Sequence, residues 1–223
     1  MMTRFEEYIY NEIVPLYASF DAAHREDHVL TVISQALELR ERMPQWLKAQ
    51  KAMGLDVAAW NINVDRNILL AAAACHDLGL ANGRDNHHLD SGKIIRADER
   101  LREWFAPEEI ETIAQAAEDH RASGKSAPRS IYGMLVAEAD RVIDPETIVR
   151  RTIQFGMKHY PELDSDGHLE RAITHLREKY GRGGYLKLWI PWSDNAARLS
   201  ALQDVIADDE AILRYVTETF CKI

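Results

Sequence analysis

The segment Asp65–Asp77 constrains the fold of this chain more than any other, because most of its residues are apolar. It contains Ile68, Leu69, Leu70 and then four consecutive alanines. A helix that is apolar nearly all round belongs in the centre of a fold, and its alanines let neighbouring backbones approach closely. Gly79 follows and predicts the end of the helix. We therefore expect a central, buried helix whose last residues include the pair His76-Asp77.

The remaining sequence predicts helices joined by short loops, because proline and glycine are sparse and strand patterns are nearly absent. The second helix should end near Met43, since Pro44 disfavours helical geometry in the residue before it. The predicted helices are about Thr3–Tyr17, Arg25–Arg42, Leu89–Trp104, Pro107–Ala122, Ile131–Ile143, Pro145–His159, Gly167–Tyr180, and Asp194 to the C-terminus. The expected fold class is all-α.

Composition places the chain among ordinary globular proteins, with 46% hydrophobic and 28% charged residues in a length of 223. One helical domain with a sizeable core fits this length. No apolar run approaches the roughly 20 residues that a membrane span needs, and Met1–Tyr10 is not followed by a signal-peptide core. Two cysteines, Cys75 and Cys221, suit a reducing compartment. These features predict a cytoplasmic protein without a membrane partner.

The formal charge of −9 argues against long nucleic acids as partners, because such proteins normally carry a basic surface. A small phosphorylated substrate stays compatible with this charge if a metal ion supplies positive charge locally. The oligomeric state is not predicted.

Polar residues at the end of the buried helix need compensation. A buried carboxylate such as that of Asp77 is costly unless a cation or several hydrogen bonds accompany it. A solvated helix end, with His76 and Asp77 facing water, is the alternative interpretation of the pair alone.

Three further polar residues are predicted to face inward from three other helices. His28 lies in the first turn of the second helix. His120 continues an apolar stripe on its helix, and Asp140 shares a face with Val136 and Ile143. Taken singly, His120 fits a core histidine and Asp140 fits a pair with Arg141. Together with the pair His76-Asp77, these residues predict a metal centre inside a helical bundle.

The order "Arg-x-x-His-Val … His-Asp-Leu-Gly … Ala-Asp-Arg" closely resembles the HD phosphohydrolase superfamily. His28 matches the first histidine of its motif, His76 and Asp77 match the doublet, and Asp140 matches the final aspartate. The resemblance covers roughly residues 20–145. It implies a single HD-domain helical bundle, with a core of about 20–145 and a helical extension of about 146–223.

A second metal ion is suggested by the segment His88–Ile95, which is similar to the "His-x-x-x-Gly-x-x-Ile-Leu" helix of HD members with binuclear sites. In those members His88 and His120 would bind the second ion, with Asp77 bridging. His87 competes with His88, but the four-residue spacing to Gly92 favours His88; a polar helix start at the surface is the other interpretation. One or two divalent ions of iron, manganese, zinc or nickel suit these ligands.

The resemblance implies a metal-dependent phosphohydrolase that acts on a small phosphate ester or anhydride, such as a nucleotide, through metal-activated water. Asp77, Arg84 and Lys93 are the predicted catalytic residues, and Arg84, Lys93 and Arg121 the predicted contacts of the substrate phosphate. Lys125 and Arg129 are weaker candidates. Many HD proteins carry a lysine soon after the doublet, which is missing here, so the general acid is left open.

Two other functions fit the same ligands. Some HD-fold proteins with this ligand set hold a di-iron centre and use dioxygen on polyols or phosphonates, and a non-catalytic HD binding module is the third possibility. Cyclic-dinucleotide cleavage is not expected, because the segment Asp119–Gly124 lacks the signatures of that subfamily.

Overall fold

The computed structural model describes residues 2–21, 23–121, 126–141 and 143–223, and these residues form helices without a strand. The all-α prediction is confirmed. Ten α-helices occur in that part of the chain: α1 Arg4–Tyr8, α2 Glu26–Ala52, α3 Arg66–Cys75, α4 His87–Ala97, α5 Pro107–Asp119, α6 Ile131–Asp140, α7 Pro145–His159, α8 Ser165–Tyr180, α9 Asn195–Ala207 and α10 Asp209–Phe220. A π-helical turn at Ile9–Ile13 and 3-10 turns at Val14–Ser19, Ala58–Trp60, Leu78–Asn82 and Leu101–Glu103 complete the helical segments.

The chain divides into two compact units. The first unit comprises Met1–Arg141 and Trp189–Ser193, and the second comprises Val142–Leu188 and Asp194–Ile223. The first boundary lies close to the predicted change from core to extension near residue 145. The return of Trp189–Ser193 to the first unit was not predicted. That the two units make one domain stays a prediction.

Helix α3 lies at the centre of the first unit, as the sequence predicts. The side chain of Asp65 caps the helix by accepting hydrogen bonds from the amides of Asn67 and Ile68. Every residue from Ile68 to Cys75 is buried, and the helix packs against α2, α5 and α6. The alanines leave room for these three neighbours, each of which supplies a residue to the site described below.

Helix α2 does not end near Met43 as predicted but continues through Pro44 to Ala52. The apolar stripe of this helix runs past the proline, with Leu39, Met43 and Leu47 all buried. Burial of that stripe offsets the cost of one missing hydrogen bond, which Pro44 cannot donate because it has no amide hydrogen. Pro44 itself is exposed.

Other predicted boundaries also shift. Helix α4 ends at Ala97, and the predicted remainder up to Trp104 contains a separate 3-10 turn. The single C-terminal helix is two helices, because Asp208 leaves helical geometry and caps α10 through the amides of Glu210 and Ala211. The predicted end of α5 at Ala122 lies outside the described residues.

The second unit is built from four helices with their own apolar faces. Asp144 caps α7, and Ile148, Val149 and Ile153 form its buried side. Helices α8, α9 and α10 pack with it around Leu176, Leu202, Ile212 and Val216. In the part of the chain that the structure describes, no helix has both the length and the apolar character that crossing a membrane requires.

Candidate metal centre

The pair His76-Asp77 lies where helix α3 ends, in the middle of the first unit. Both side chains are buried, with His76 fully enclosed. His76 caps the helix, while Asp77, at φ −111° and ψ 8°, begins the turn that follows. The Nδ1 atom of His76 lies 2.8 Å from the carbonyl oxygen of Ala73. A carbonyl only accepts, so Nδ1 carries the hydrogen and the Nε2 atom of the neutral ring presents a lone pair.

His28 and Asp140 approach this pair from helices α2 and α6. The Nε2 atom of His28 lies 3.6 Å from Asp77 Oδ2 and 3.3 Å from Asp140 Oδ1. The Nε2 atom of His76 lies 3.3 Å from Asp77 Oδ2 and 3.9 Å from Asp140 Oδ1. The structure therefore brings together all four residues of the predicted first set.

The other carboxylate oxygen of Asp77 faces a second pair of histidines. Asp77 Oδ1 lies 3.4 Å from His87 Nε2 and 3.3 Å from His120 Nε2. The two Nε2 atoms are 3.2 Å apart. The Nδ1 atoms of His87 and His120 donate to the carbonyl oxygens of Arg84 and Ala117, at 2.7 and 2.5 Å. Both Nε2 lone pairs are thus left to face each other and the carboxylate.

His87, rather than the preferred His88, occupies the second set. The four-residue spacing to Gly92 pointed to His88, but the first turn of α4 aims His87 at His120. His88 points elsewhere, and its Nδ1 atom is buried without a hydrogen bond. Burial, with Arg121 and the two neighbouring histidines, lowers the pKa of His88 to about 4. In the sequence the signal was the adjacent pair His87-His88, and the spacing to Gly92 did not distinguish which of the two faces the site.

The arrangement fits a cation better than a network of hydrogen bonds. The Nε2 atoms of His28 and His76 are buried and make no hydrogen bond. Two neutral rings that present lone pairs at 3.2 Å repel each other unless a positive charge, a proton or a metal ion, lies between them. Ligands about 2.1 Å from one ion lie roughly 3.0–3.4 Å apart at angles of 90–109°. Most of the distances from the histidines to Asp77 fall in or near this range.

Two three-residue groups could each hold an ion, and they share one member. The first is His28, His76 and Asp77, and the second is Asp77, His87 and His120. Since Asp77 Oδ2 faces the first pair of histidines and Oδ1 the second, its carboxylate has the placement of a bridging ligand. Asp140 adds an oxygen on the side of His28.

Electrostatics keep the carboxylates ionised. Burial raises the pKa of Asp77, but His76, His120 and His28 outweigh it and hold that pKa well below its usual range. The pKa of Asp140 is likewise lowered, because His28 and the other histidines overcome burial. Burial lowers the pKa of His28, yet Asp140 and Asp77 raise it to about 9. A cation brought to this site therefore meets charged carboxylates and competes with a proton on His28.

The predicted phosphate contacts divide into two groups. Arg84 donates to Asp21 Oδ2 at 3.0 Å, while its carbonyl holds His87, so the residue borders the site. Arg121, next to His120, donates to the carbonyl oxygen of Asp85 at 2.6 Å. Arg121 lies close to His87 and His88, because its positive charge adds to burial in lowering the pKa values of both.

Lys93 and Arg129 are placed differently. Lys93 lies six residues after His87 on α4, which at 100° per residue puts it on the outward side. Its side chain is 73% exposed and pairs with Asp90. Its predicted catalytic and substrate-binding roles stay predictions, and the placement of the side chain gives them no support. Arg129 is held by Glu118 and Asp119, and Lys125 lies outside the described residues.

Two residues, Ser91 and Gly79, support the site in a way that the sequence did not predict. Ser91 is buried on α4, accepts a hydrogen bond from the amide of Gly79 at 2.9 Å, and donates to the carbonyl oxygen of His87 at 2.9 Å. A Cβ atom at Gly79 would lie 2.0 Å from that same carbonyl oxygen. The glycine thus permits the close approach by which α4 carries His87 to Asp77, a function that only the folded chain reveals.

A family model described as the HD domain matches residues 25–143, just over half of the chain. No curated protein and no solved structure matches the chain significantly. The matched stretch contains the six residues brought together here: His28, His76, Asp77, His87, His120 and Asp140.

Proposed function

Because the chain belongs to the HD domain family, we propose that it is a metal-dependent phosphohydrolase acting on a small molecule. The bond cleaved is a phosphate ester or anhydride, and nucleotides are the first substrates to test. The observation that carries the proposal is the placement of Asp77, whose two carboxylate oxygens face separate pairs of histidines. Binuclear sites of this kind suit in-line displacement at phosphorus.

Two ions would be held in this proposal. His28, His76, Asp77 and Asp140 would hold the first, and Asp77, His87 and His120 the second. Imidazole and carboxylate ligands suit iron, manganese, zinc or nickel. The three Nδ1-to-carbonyl hydrogen bonds of His76, His87 and His120 fix the ring tautomers, so each Nε2 lone pair is ready for an ion.

The ions, when bound, lower the pKa of coordinated water and offset the negative charge of the phosphoryl oxygens. Asp77 would orient the attacking water, while burial of its carboxylate keeps other water away. Arg84 and Arg121 would bind the remaining phosphate oxygens, since a guanidinium donates two parallel hydrogen bonds to such a group. Arg84 already has a carboxylate partner in Asp21, which a substrate phosphate would have to replace or share.

Metal analysis of the purified protein, combined with a screen of phosphate monoesters, nucleotides and pyrophosphates, tests the proposal. We expect about two ions per chain and metal-dependent turnover of at least one class. His76→Ala and Asp77→Ala should remove both metal retention and turnover. Asp209→Asn, which removes an exposed carboxylate paired with Arg177 in the second unit, is the control and should change neither.

The same screen separates the proposal from its rivals. A di-iron oxygenase shares this donor set, so iron-loaded protein is also tested for oxygen uptake with polyols and phosphonates. Uptake coupled to substrate loss would replace hydrolysis with oxidation. Protein that holds no metal and cleaves no phosphate bond would favour a binding module.

A further inference from the structure

Tyr17 connects the N-terminal segment to the residue on which both histidine pairs converge. It lies in the 3-10 turn Val14–Ser19 and is completely buried. Its hydroxyl oxygen is 2.8 Å from the carbonyl oxygen of Ala74 and 3.2 Å from the amide nitrogen of Asp77. No motif in the sequence pointed to this tyrosine.

The directions of the two hydrogen bonds follow from the groups involved. The carbonyl of Ala74 only accepts, so the tyrosine hydroxyl donates to it. The hydroxyl oxygen then accepts from the amide of Asp77. Ala74 is one of the last residues of helix α3, where carbonyls lose their helical partners, and the amide of Asp77 lies just beyond the helix. One side chain thus satisfies two buried backbone groups on either side of His76.

These contacts matter because the backbone sets the direction of the Asp77 side chain. The ion-pair contacts of its carboxylate are with histidines: Oδ2 with His28 and His76, and Oδ1 with His87 and His120. Each of those rings presents Nε2, which in the neutral ring of His76, His87 or His120 accepts rather than donates. Neutral rings cannot donate to the carboxylate, and the Nε2 atom of His28 lies nearer to Asp140 Oδ1 (3.3 Å) than to Asp77 Oδ2 (3.6 Å), so the rings alone do not hold the Asp77 carboxylate in place. A fixed amide at Asp77 can, because it limits where Cβ and the carboxylate point.

We propose that Tyr17 is a positioning residue for the metal centre, holding the Asp77 backbone so that its carboxylate bridges the two histidine pairs. This inference rests on the proposed function only in requiring that Asp77 binds metal. The two hydrogen bonds of the Tyr17 hydroxyl are made to backbone groups, so the residue would act on the ions indirectly. Its effect reaches the ions through the geometry of Asp77, in the way that groups behind metal ligands commonly tune affinity by 10- to 100-fold.

The test compares Tyr17→Phe with Tyr8→Phe. Tyr8 is a matched control, because it is also a buried tyrosine of the N-terminal segment whose hydroxyl donates to one partner, Asp98, at 2.5 Å. Asp98 belongs to neither histidine group. Both variants keep the aromatic ring, and far-UV circular dichroism verifies that they fold.

Metal affinity is measured by titrating metal-free protein with Mn²⁺ in a calorimeter, and Co²⁺-loaded protein gives a visible spectrum that reports ligand geometry. Without metal, Tyr8→Phe, which removes one hydrogen bond, should lower Tm by about 2–4 °C, and Tyr17→Phe, which removes two, by about 4–8 °C. Only Tyr17→Phe should weaken Mn²⁺ binding, by about 10- to 100-fold, and shift the Co²⁺ bands.

Three results would overturn the inference. Tyr17→Phe with the affinity and Co²⁺ spectrum of the unmodified protein would remove the positioning role and leave the proposed function intact. Equal losses of affinity in both variants would show a general effect of stability. Unmodified protein that binds no Mn²⁺ or Co²⁺ would end the proposed function and the inference together.

A further measurement needs no variant. If Tyr17 holds the Asp77 amide, the hydrogen of that amide should exchange slowly with solvent even without metal. Exchange as fast as that of the exposed amide of Gly183 would contradict the inference.

Discussion

Three histidines of the candidate centre share one feature, a ring nitrogen that donates a hydrogen bond to a backbone carbonyl. His76, His87 and His120 each donate Nδ1–H to the carbonyl three residues earlier. This hydrogen bond fixes both the tautomer and the orientation of the ring. Each of these hydrogen bonds lies within one turn of the histidine's own segment. When α3, α5 and the start of α4 pack together, the three rings therefore already have the tautomer and orientation that metal binding needs.

The adjacent histidines of α4 give the sharpest residue-scale prediction. His87→Ala removes a ligand beside His120 and Asp77 Oδ1, so the metal content should fall from about two ions per chain to about one. His88→Ala is the matched control and should leave the content unchanged, since His88 is not part of that group. Elemental analysis of both proteins after reconstitution gives the answer. Loss of an ion in His88→Ala alone would restore the original sequence prediction.

Metal affinity should depend on pH through His28. In the metal-free protein Asp140 and Asp77 raise the pKa of His28 to about 9 against burial, so the ring is protonated at pH 7. An ion must displace that proton, and affinity should therefore fall about tenfold for each pH unit below 9. Titration calorimetry in buffers of different ionisation enthalpy should record at least one proton released per chain at pH 7. Binding that is independent of pH between 7 and 9 would argue against His28 as a ligand.

At this scale the sequence predicted most of the residues that the structure brings together, and missed those whose placement depends on packing. Motif order and helix periodicity can be read from the local sequence, and they pointed to five of these residues: His28, His76, Asp77, His120 and Asp140. His87 and His88 differ only in which side of the first turn of α4 they occupy, and that depends on how α4 docks. Tyr17 lies 60 residues from Asp77, so no local pattern could connect them.

At the scale of elements, the approach of α4 to the turn after the doublet decides where His87 lies. The two segments meet at Gly79, whose amide donates to Ser91. A Cβ atom at Gly79 would lie 2.0 Å from the His87 carbonyl oxygen and 2.6 Å from the Ser91 nitrogen. Both are backbone atoms, so only movement of the whole helix would relieve the overlap.

Gly79→Ala should therefore destabilise the protein and disturb the second ion more than the first. Overpacking of this kind costs about 1–3 kcal/mol of unfolding free energy, which denaturant titration measures. The control is Gly183→Ala in the second unit, where a Cβ atom meets nothing within 4 Å. An alanine at position 79 that changes neither stability nor metal content would refute the tight approach.

Among the helix boundaries that differ from the prediction, one does so because of core packing and another because of a helix cap. Pro44 predicted a helix end, but the buried stripe of Leu39, Met43 and Leu47 carries α2 onward to Ala52. Asp208 divided the predicted last helix because its side chain caps α10. The central helix α3 was predicted correctly, since its composition admits only a buried place.

On the scale of the whole molecule, the six residues of the candidate centre all lie in the first unit. That unit includes Trp189–Ser193, which the sequence assigned to the extension. The amide of Trp189 donates to the buried carboxylate of Glu138 on α6 at 2.8 Å, and Trp192 packs between Trp46 and Trp60. These aromatic contacts join residues more than a hundred positions apart, so no local periodicity in the sequence could predict them.

Metal removal should lower the stability of the folded protein. An ion that binds only the native state at 100 times its Kd adds about 2.7 kcal/mol to the free energy of unfolding. For a chain of this size that corresponds to a rise in Tm of about 5–11 °C over chelator-treated protein. Differential scanning calorimetry should show this rise in the unmodified protein and not in Asp77→Ala. A Tm that ignores both chelator and ions would mean that no ion binds the fold.

The central claim is that one carboxylate, that of Asp77, joins two metal ions held by separate pairs of histidines. A crystal structure of metal-loaded protein, with anomalous scattering at the absorption edge of the metal, tests it directly. We predict two anomalous peaks about 3.5–4 Å apart, one beside His28 and His76 and the other beside His87 and His120, with Asp77 contacting both. Loaded crystals with no peak at Asp77, or with the ions bound elsewhere, would contradict it.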